Sequence, residues 1–420
     1  MWTPGSAWRH GGLEVSAPTA KPVILVFTGY YLPGFKGGGP IRTIANLVDR
    51  LCGDFKFMVV ARDHDLGEVQ HYPDIEQGQW NQVGQAQVFY LPRGGGSLQA
   101  IRSVIEEVQP DILYLNSFFD PWFTLRPLIA TWLGKFKSLP ILLAPRGEFS
   151  EGAMKLKDWK KVPYTMLARW VGLVERVRWH ASTELEGRDI VRVMRVDRKK
   201  INFVRQISVA PDLIVNSAVS TSRVVRPCCA DQEPGLRVCF LSRIAAMKNL
   251  DFALKTLRQV KATVRFSIYG PLESEAYWVT CSKLMSELPQ NIHAEYCGSV
   301  PSHLVRETIS QHQLFFVPSR GENFGHVFVE ALSVGVPILV SDQTPWRDLA
   351  EKKLGWDLPL NSTIRFAATI DHFAGLPAAE RAEFRLSCLQ FSQKLSEDQK
   401  SVELNREMFW RVMEPVKFGH

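Results

Sequence analysis

From residue 22 to about residue 345, short apolar runs alternate with stretches in which apolar side chains return every three or four positions. The runs Val23–Tyr30, Phe55–Ala61, Gln87–Leu91, Asp111–Asn116 and Ile141–Pro145 predict strands. Pro40–Leu51 and Leu98–Val108 predict helices between them; in the second, Ile101, Val104, Ile105 and Val108 share one face. Trp170–Val177 reads as an amphipathic helix packed on the same sheet. The pattern then restarts after Val224–Gly235, a segment with two prolines and the vicinal pair Cys228-Cys229. Further strands are predicted at Leu236–Leu241, Val264–Tyr269, His293–Cys297, Leu314–Val317 and Val336–Val340, and Ser362–Met413 reads as purely helical. Alternating strands and helices imply parallel sheet covered on both faces. The predicted class is α/β, with two doubly wound, Rossmann-like domains. Residues 1–21 are expected to form a disordered tail, 22–215 the first domain, 216–235 a linker and 236–395 the second domain.

Composition narrows the function classes without choosing one. The 420 residues suffice for two developed cores, and 45% hydrophobic with 22% charged is ordinary for a soluble globular chain. No run reaches the roughly 18 uninterrupted apolar residues that argue for a membrane span. The first 21 residues carry Arg9, His10 and Glu14 and no long apolar core, unlike a secretory signal. Seven cysteines show no C-x-x-C pair, which favours reduced thiols in a cytoplasmic setting and gives no support to a metal site. The formal charge of +7 is uneven, because residues 155–205 hold 14 Lys or Arg against 6 Asp or Glu. Such a surface attracts nucleic acid, anionic headgroups or phosphorylated substrates alike.

In open parallel sheets, ligands bind beyond the carboxyl ends of the strands. After the first strand comes Gly37-Gly38-Gly39-Pro40, where a ligand can approach the backbone at a helix start; a flexible turn explains the glycines equally well. After the first strand of the second half come Arg243 and Lys248, five apart, able to converge on one diphosphate or to stand as solvated loop cations. After Leu314–Val317 come Glu322 and Glu330, with a helix expected to begin near Phe324 and to offer the N–H groups of Phe324, Gly325, His326 and Val327. Carboxylates there suit hydroxyl-rich ligands, although Glu322 also reads as a favourable acid beside a helix start and Glu330 as a surface residue.

The spacing Glu322-x7-Glu330 around Phe324-Gly325, followed by Ala331-Leu332, Gly335 and Pro337, resembles the signature of retaining GT-B glycosyltransferases, and more narrowly glycosyltransferase family 4. Arg243-x4-Lys248 resembles that family's diphosphate clamp. Ala144-Pro145-Arg146-Gly147-Glu148, His180-Ala-Ser-Thr-Glu184 and Thr344-Pro345-Trp346-Arg347-Asp348-Leu349 are similar to segments of its bacterial surface-polysaccharide and lipopolysaccharide members. The resemblance implies two Rossmann-like domains facing a central cleft, with residues 396–420 a C-terminal helix crossing back to the first. It implies that Arg243 and Lys248 stabilise a departing diphosphate, an electrostatic contribution to the transition state. Glu322 would then hold the transferred sugar, Glu330 the ribose, and Phe324 to Val327 the sugar and phosphate. Gly298, Ser299 and Val300 would meet the base, and Gly38 and Gly39 would close on the donor.

The implied donor is a nucleotide-sugar, UDP- or GDP-linked, with front-face attack, no cofactor and no metal. The implied acceptor is a glycan or lipid-linked glycan, and no nucleic acid is expected as partner. Arg146, Glu148 and His180 are the acceptor-side candidates; Arg146 stands where many members carry a histidine, and Ser242 where the family often has glycine. Lys155–Lys161, with Trp159 among its cations, fits an anionic membrane surface or a packed helix with a solvated outer face. The first would place the protein on the inner face of the cytoplasmic membrane. A nucleotide-sugar epimerase of the same fold, or a non-catalytic binding module, are the alternatives.

Overall fold

The computed structural model describes residues 20–133, 136, 138–156, 158–194, 207–214 and 235–414. Most of the expected tail, most of the linker with Cys228-Cys229, and Lys157 within the basic segment lie outside the described residues.

Among these residues the chain forms two sheets. The first contains β1 (Val23–Phe27), β2 (Lys56–Arg62), β3 (Trp80–Val83), β4 (Ala86–Leu91), β5 (Ile112–Asn116), β6 (Ile141–Ala144), β7 (Val177–Ala181) and β8 (Ile207–Val209). Its order is β3-β4-β2-β1-β5-β6-β7-β8, parallel except for the β3–β4 edge hairpin. The second contains β9 (Leu236–Leu241), β10 (Val264–Tyr269), β11 (Ile292–Tyr296), β12 (Leu314–Val317), β13 (Ile338–Ser341) and β14 (Gly355–Leu358), in the order β11-β10-β9-β12-β13-β14. That is the doubly wound order, and its reversal between β9 and β12 opens a crevice at their carboxyl ends. The central strands are buried on both faces, which is why they read as continuous apolar runs.

Helices complete the layers. Gly39–Leu51 buries Ile41, Ile44, Leu47, Val48 and Leu51 against one face of the first sheet. The last helix, Gln399–Met413, leaves the second domain and packs on that same face through Val402, Met408, Phe409 and Val412. Phe409 meets Phe55 at 5.4 Å and Tyr114 at 5.6 Å between ring centroids. The opposite face carries Leu98–Val108, Arg126–Leu133, Asp158–Trp170 and Glu184–Met194.

One predicted element is corrected. Trp170–Val177 is not a packed helix: the helix Asp158–Trp170 ends there, Gly172 takes φ +69°, and Val177 opens β7. Trp170 is 84% exposed, while Val174 and Val177 are buried in the core, so the segment packs on the sheet through a turn and a strand start rather than through a helical face.

Candidate functional site

A cleft of about 500 Å³ lies between the two domains, bordered by the segments that follow β1, β6, β9, β10 and β12. Each wall is set by local backbone chemistry. Gly38 adopts φ +75°, and a Cβ there would stand 3.6 Å from the Nε of Arg243. The left-handed backbone thus brings the glycine loop of the first domain against Arg243 of the second.

On the second domain, β9 ends at Leu241, and Lys248 closes the short turn Ala246–Lys248. Asn249 follows at φ +63°, buried, donating from Nδ2 to the Pro318 carbonyl at 3.0 Å and accepting from Arg320 Nε at 2.9 Å. This ties the Lys248 turn to the loop carrying Glu322, and Lys248 donates directly to Glu322. Arg243 pairs with Glu273 at 2.5 Å. The acid loop is fixed from below by Trp346, whose Nε1 donates to the Phe324 carbonyl at 2.6 Å. The helix begins at His326, two residues later than predicted, because Gly325 takes φ +84° as its cap. A Cβ on Gly325 would sit 2.4 Å from the Phe328 ring, so only glycine turns the chain here without displacement.

Glu330 is 9% exposed and pairs with Arg42 of the first domain at 2.8 Å, while Arg42 also donates to the Ser302 carbonyl at 3.0 Å. Burial pushes the Glu330 carboxyl up, and the nearby Arg42, His326 and Arg306 offset only part of that rise. His326 Nε2 lies 2.8 Å from Thr43 Oγ1 and 3.4 Å from Asp212. Asp212 in turn accepts from Arg146 at 2.9 Å and from Ser182 Oγ at 2.9 Å. Burial raises its carboxyl, but the Arg146 guanidinium and His326 outweigh that and hold it well below the usual carboxylate range. Arg146 itself sits at φ +55° and donates to Asn116 Oδ1 at 3.0 Å. Beside it, Glu186 accepts from the N–H groups of Gly147 at 2.6 Å and Ser182 at 2.8 Å, and burial raises it to about 7.

The cleft therefore gathers Gly38, Gly39, Arg146, Glu148, Arg243, Lys248, Val300, Glu322, Phe324, Gly325, His326, Val327 and Glu330 along its walls. Gly298, Ser299 and His180 are not among its lining. His180 is enclosed between the Tyr114 hydroxyl at 2.7 Å and the Ala210 carbonyl at 2.8 Å, and burial lowers it to about 3. It is a neutral core residue, which corrects its placement on the acceptor side. Glu148 borders the cleft, yet its carboxylate is spent on Ser117 Oγ at 2.6 Å and the N–H groups of Phe118 and Phe119 at 2.5 and 3.2 Å. Its contact to the lining is structural.

Arg42, Thr43, Asp212 and Glu273 line the cleft without having been singled out in the sequence. Arg42 and Thr43 follow the glycine loop directly, and Asp212 and Glu273 follow β8 and β10 by a few residues. The search at strand carboxyl ends reaches all four when carried through every strand. Among the cleft cations, Arg42, Arg243 and Lys248 are each held by a carboxylate, Glu330, Glu273 and Glu322 respectively. An anionic ligand entering the cleft would exchange with carboxylates that already mark where negative charge is tolerated.

Two Rossmann-like domains facing such a cleft, with the last helix returning to the first, define the GT-B architecture. Solved structures agree in fold at low identity. Sucrose-phosphate synthase from Thermosynechococcus elongatus superposes with a TM-score of 0.66 at 15% identity, covering 93% of this chain and 98% of that one. HepE from Anabaena, in complex with UDP and glucose, gives 0.63 at 13% identity over 93% and 99%. WaaG, a glycosyltransferase involved in lipopolysaccharide biosynthesis, gives 0.62 at 11% identity over 94% and 100%. Residues 231–384, which span most of the second domain, match the family model for glycosyl transferases group 1. A sequence comparison with curated proteins found no match.

Proposed function

We propose that this chain is a retaining glycosyltransferase of family 4 type, moving a sugar from a UDP- or GDP-sugar to a glycan or lipid-linked glycan in bacterial surface polysaccharide or lipopolysaccharide synthesis. The observation that carries the reading is the gathering of Arg243, Lys248, Glu322 and Glu330 along one wall of a single cleft, with Gly38 of the facing domain against Arg243. Arg243 and Lys248 exchange their carboxylates for the donor diphosphate and stabilise the charge that grows as it leaves. Two fixed cations supply there what a divalent ion would otherwise supply, so the reaction is metal-independent and uses no cofactor. Glu322, released by Lys248, accepts hydroxyls of the transferred sugar. Glu330, released by Arg42, accepts those of the ribose, and the N–H groups at the start of His326–Ser333 meet the phosphate. The departing phosphate oxygen takes the acceptor proton in a front-face attack. HepE was solved with UDP and glucose, which favours UDP-sugars as the donors to test first. A lipid-linked acceptor goes with work at the inner face of the cytoplasmic membrane, through the basic segment Lys155–Lys161.

The test is a thermal-shift screen of UDP-, GDP-, ADP- and CMP-sugars, followed by transfer assays with the stabilising donor. Lys248→Ala is expected to lower transfer by about 10²-fold or more while the protein stays folded. Full activity in that variant, or stabilisation by none of the donors, would overturn the reading.

A further inference from the structure

The helix Asp158–Trp170 turns an apolar row to solvent. Trp159 is 70% exposed, Val162 42%, Met166 52%, Leu167 56% and Trp170 84%. At 3.6 residues per turn these five fall within one arc of less than half the helix circumference. Thr165 and Ala168, on the other side, are the buried residues that seat the helix on its sheet. Cations edge the arc: Lys160 falls beside Leu167, and Arg169 beside Val162. The helix Arg126–Leu133, on the same side of the sheet, ends in Trp132 and Leu133, 51% and 59% exposed.

We infer that this outer face seats the protein on an anionic lipid bilayer, with Trp159, Val162, Met166, Leu167 and Trp170 entering the headgroup boundary and Lys160 and Arg169 meeting anionic headgroups. A continuous exposed apolar row marks an interaction surface. Tryptophans at its two ends suit the interfacial zone, where an amphipathic ring keeps its N–H in water. The cations on both flanks select an anionic surface. A second copy of the chain is the poorer occupant, since a two-fold contact along this row would set Lys160 and Arg169 against their own counterparts. The position also fits the chemistry. Lys161, on the helix side away from the row, donates to the Ala153 carbonyl at 2.7 Å and borders the cleft together with Ser150 and Ala153. The docked helix would thus form part of the cleft mouth. An acceptor held in the bilayer would enter beside it.

Docking through this face rests on the lipid-linked-acceptor reading and shifts the docking surface from the lysine cluster to the apolar row that begins within it at Trp159. Its test needs neither donor nor acceptor. The full chain is sedimented with phosphatidylcholine vesicles with and without phosphatidylglycerol. Binding is expected only with the anionic lipid, accompanied by a blue shift of tryptophan emission. The variant Trp159→Ser/Met166→Ser/Trp170→Ser is expected to bind about tenfold or more weakly. Lys160→Glu/Arg169→Glu is expected to lose the preference for anionic vesicles. Four of the five substituted side chains are exposed and Arg169 is half-buried, and an unchanged melting temperature checks that the variants fold. Absence of wild-type binding, or equal binding by the triple variant, would overturn the inference. So would a wild-type dimer that the triple variant turns into a monomer by light scattering, since the row would then cover a second copy. Any of these results leaves the donor assays of the transfer reading untouched, and a failure of those assays leaves vesicle binding untouched.

Discussion

Arg146 and Asp212 face each other with side chains 5% and 2% exposed, so neither charge is relieved by water. Such a pair persists because each partner is further hydrogen-bonded, Arg146 by Asn116 and Asp212 by Ser182 and Thr43. Asp212 is depressed, so its contribution to stability is present above the unfolded carboxylate range and is lost as pH falls toward its folded value. Glu186 behaves oppositely. Burial raises it to about 7, so the folded chain holds a proton that the unfolded chain releases near pH 4. Its contribution is complete below about pH 4 and is lost as pH rises through about 7. Glu186→Gln should lower the melting temperature, because its amide would meet one of the two N–H groups of Gly147 and Ser182. It should also flatten the decline in stability across that window. Equal slopes for wild type and variant in melting temperature against pH would show that Glu186 is not the group responsible.

The elements differ in how far the linear pattern reveals them. β9, β10 and β12 begin and end where the predicted runs do: β12 is buried at every position, whereas β10 alternates buried Val264, Phe266 and Ile268 with half-buried Arg265, Ser267 and Tyr269. β3, β8 and β14 are no longer than β12 but are mostly half-buried, with polar residues among them, so no apolar run marks them in the chain. β14 even opens on Gly355, which reads as a turn in the chain. In the sheet, a Cβ there would lie 1.8 Å from the Ile338 carbonyl, so the glycine allows close strand approach. The helix Gln399–Met413 is legible as a helix, but the face it covers is on a domain some 350 residues earlier by sequence, as Arg406 pairing with Asp54 shows. Phe409 is fully buried in that core. Phe409→Ala is expected to cost about 3–5 kcal/mol in denaturant unfolding. A loss below about 1 kcal/mol would mean that the helix is dispensable to the first domain.

At the scale of the molecule, the cleft is held closed by few contacts. Arg42 reaches Glu330 and the Ser302 carbonyl, Thr43 and Asp212 reach His326, and Asn323 Nδ2 donates to Ser182 Oγ at 3.0 Å. Inter-domain surfaces of this polar kind permit relative motion. Arg42→Ala/His326→Ala should therefore raise the radius of gyration measured by small-angle scattering, with both domains still folded. An unchanged radius would place the closure elsewhere. The amino-acid sequence alone determined the α/β class, the restart after residue 235, and the clamp and acid residues Arg243, Lys248, Glu322 and Glu330 as ligand-facing candidates. Each of these depends on local period or on position at a strand end, and such information travels with the chain. Only the tertiary structure decided that Arg42 and Asp212 share the cleft, that His180 belongs to the core, and that Trp159 and Trp170 face outward. Helical periodicity marks an apolar face but not what covers it. Burial and pairing arise when distant segments meet, and a one-dimensional pattern carries no distance between them.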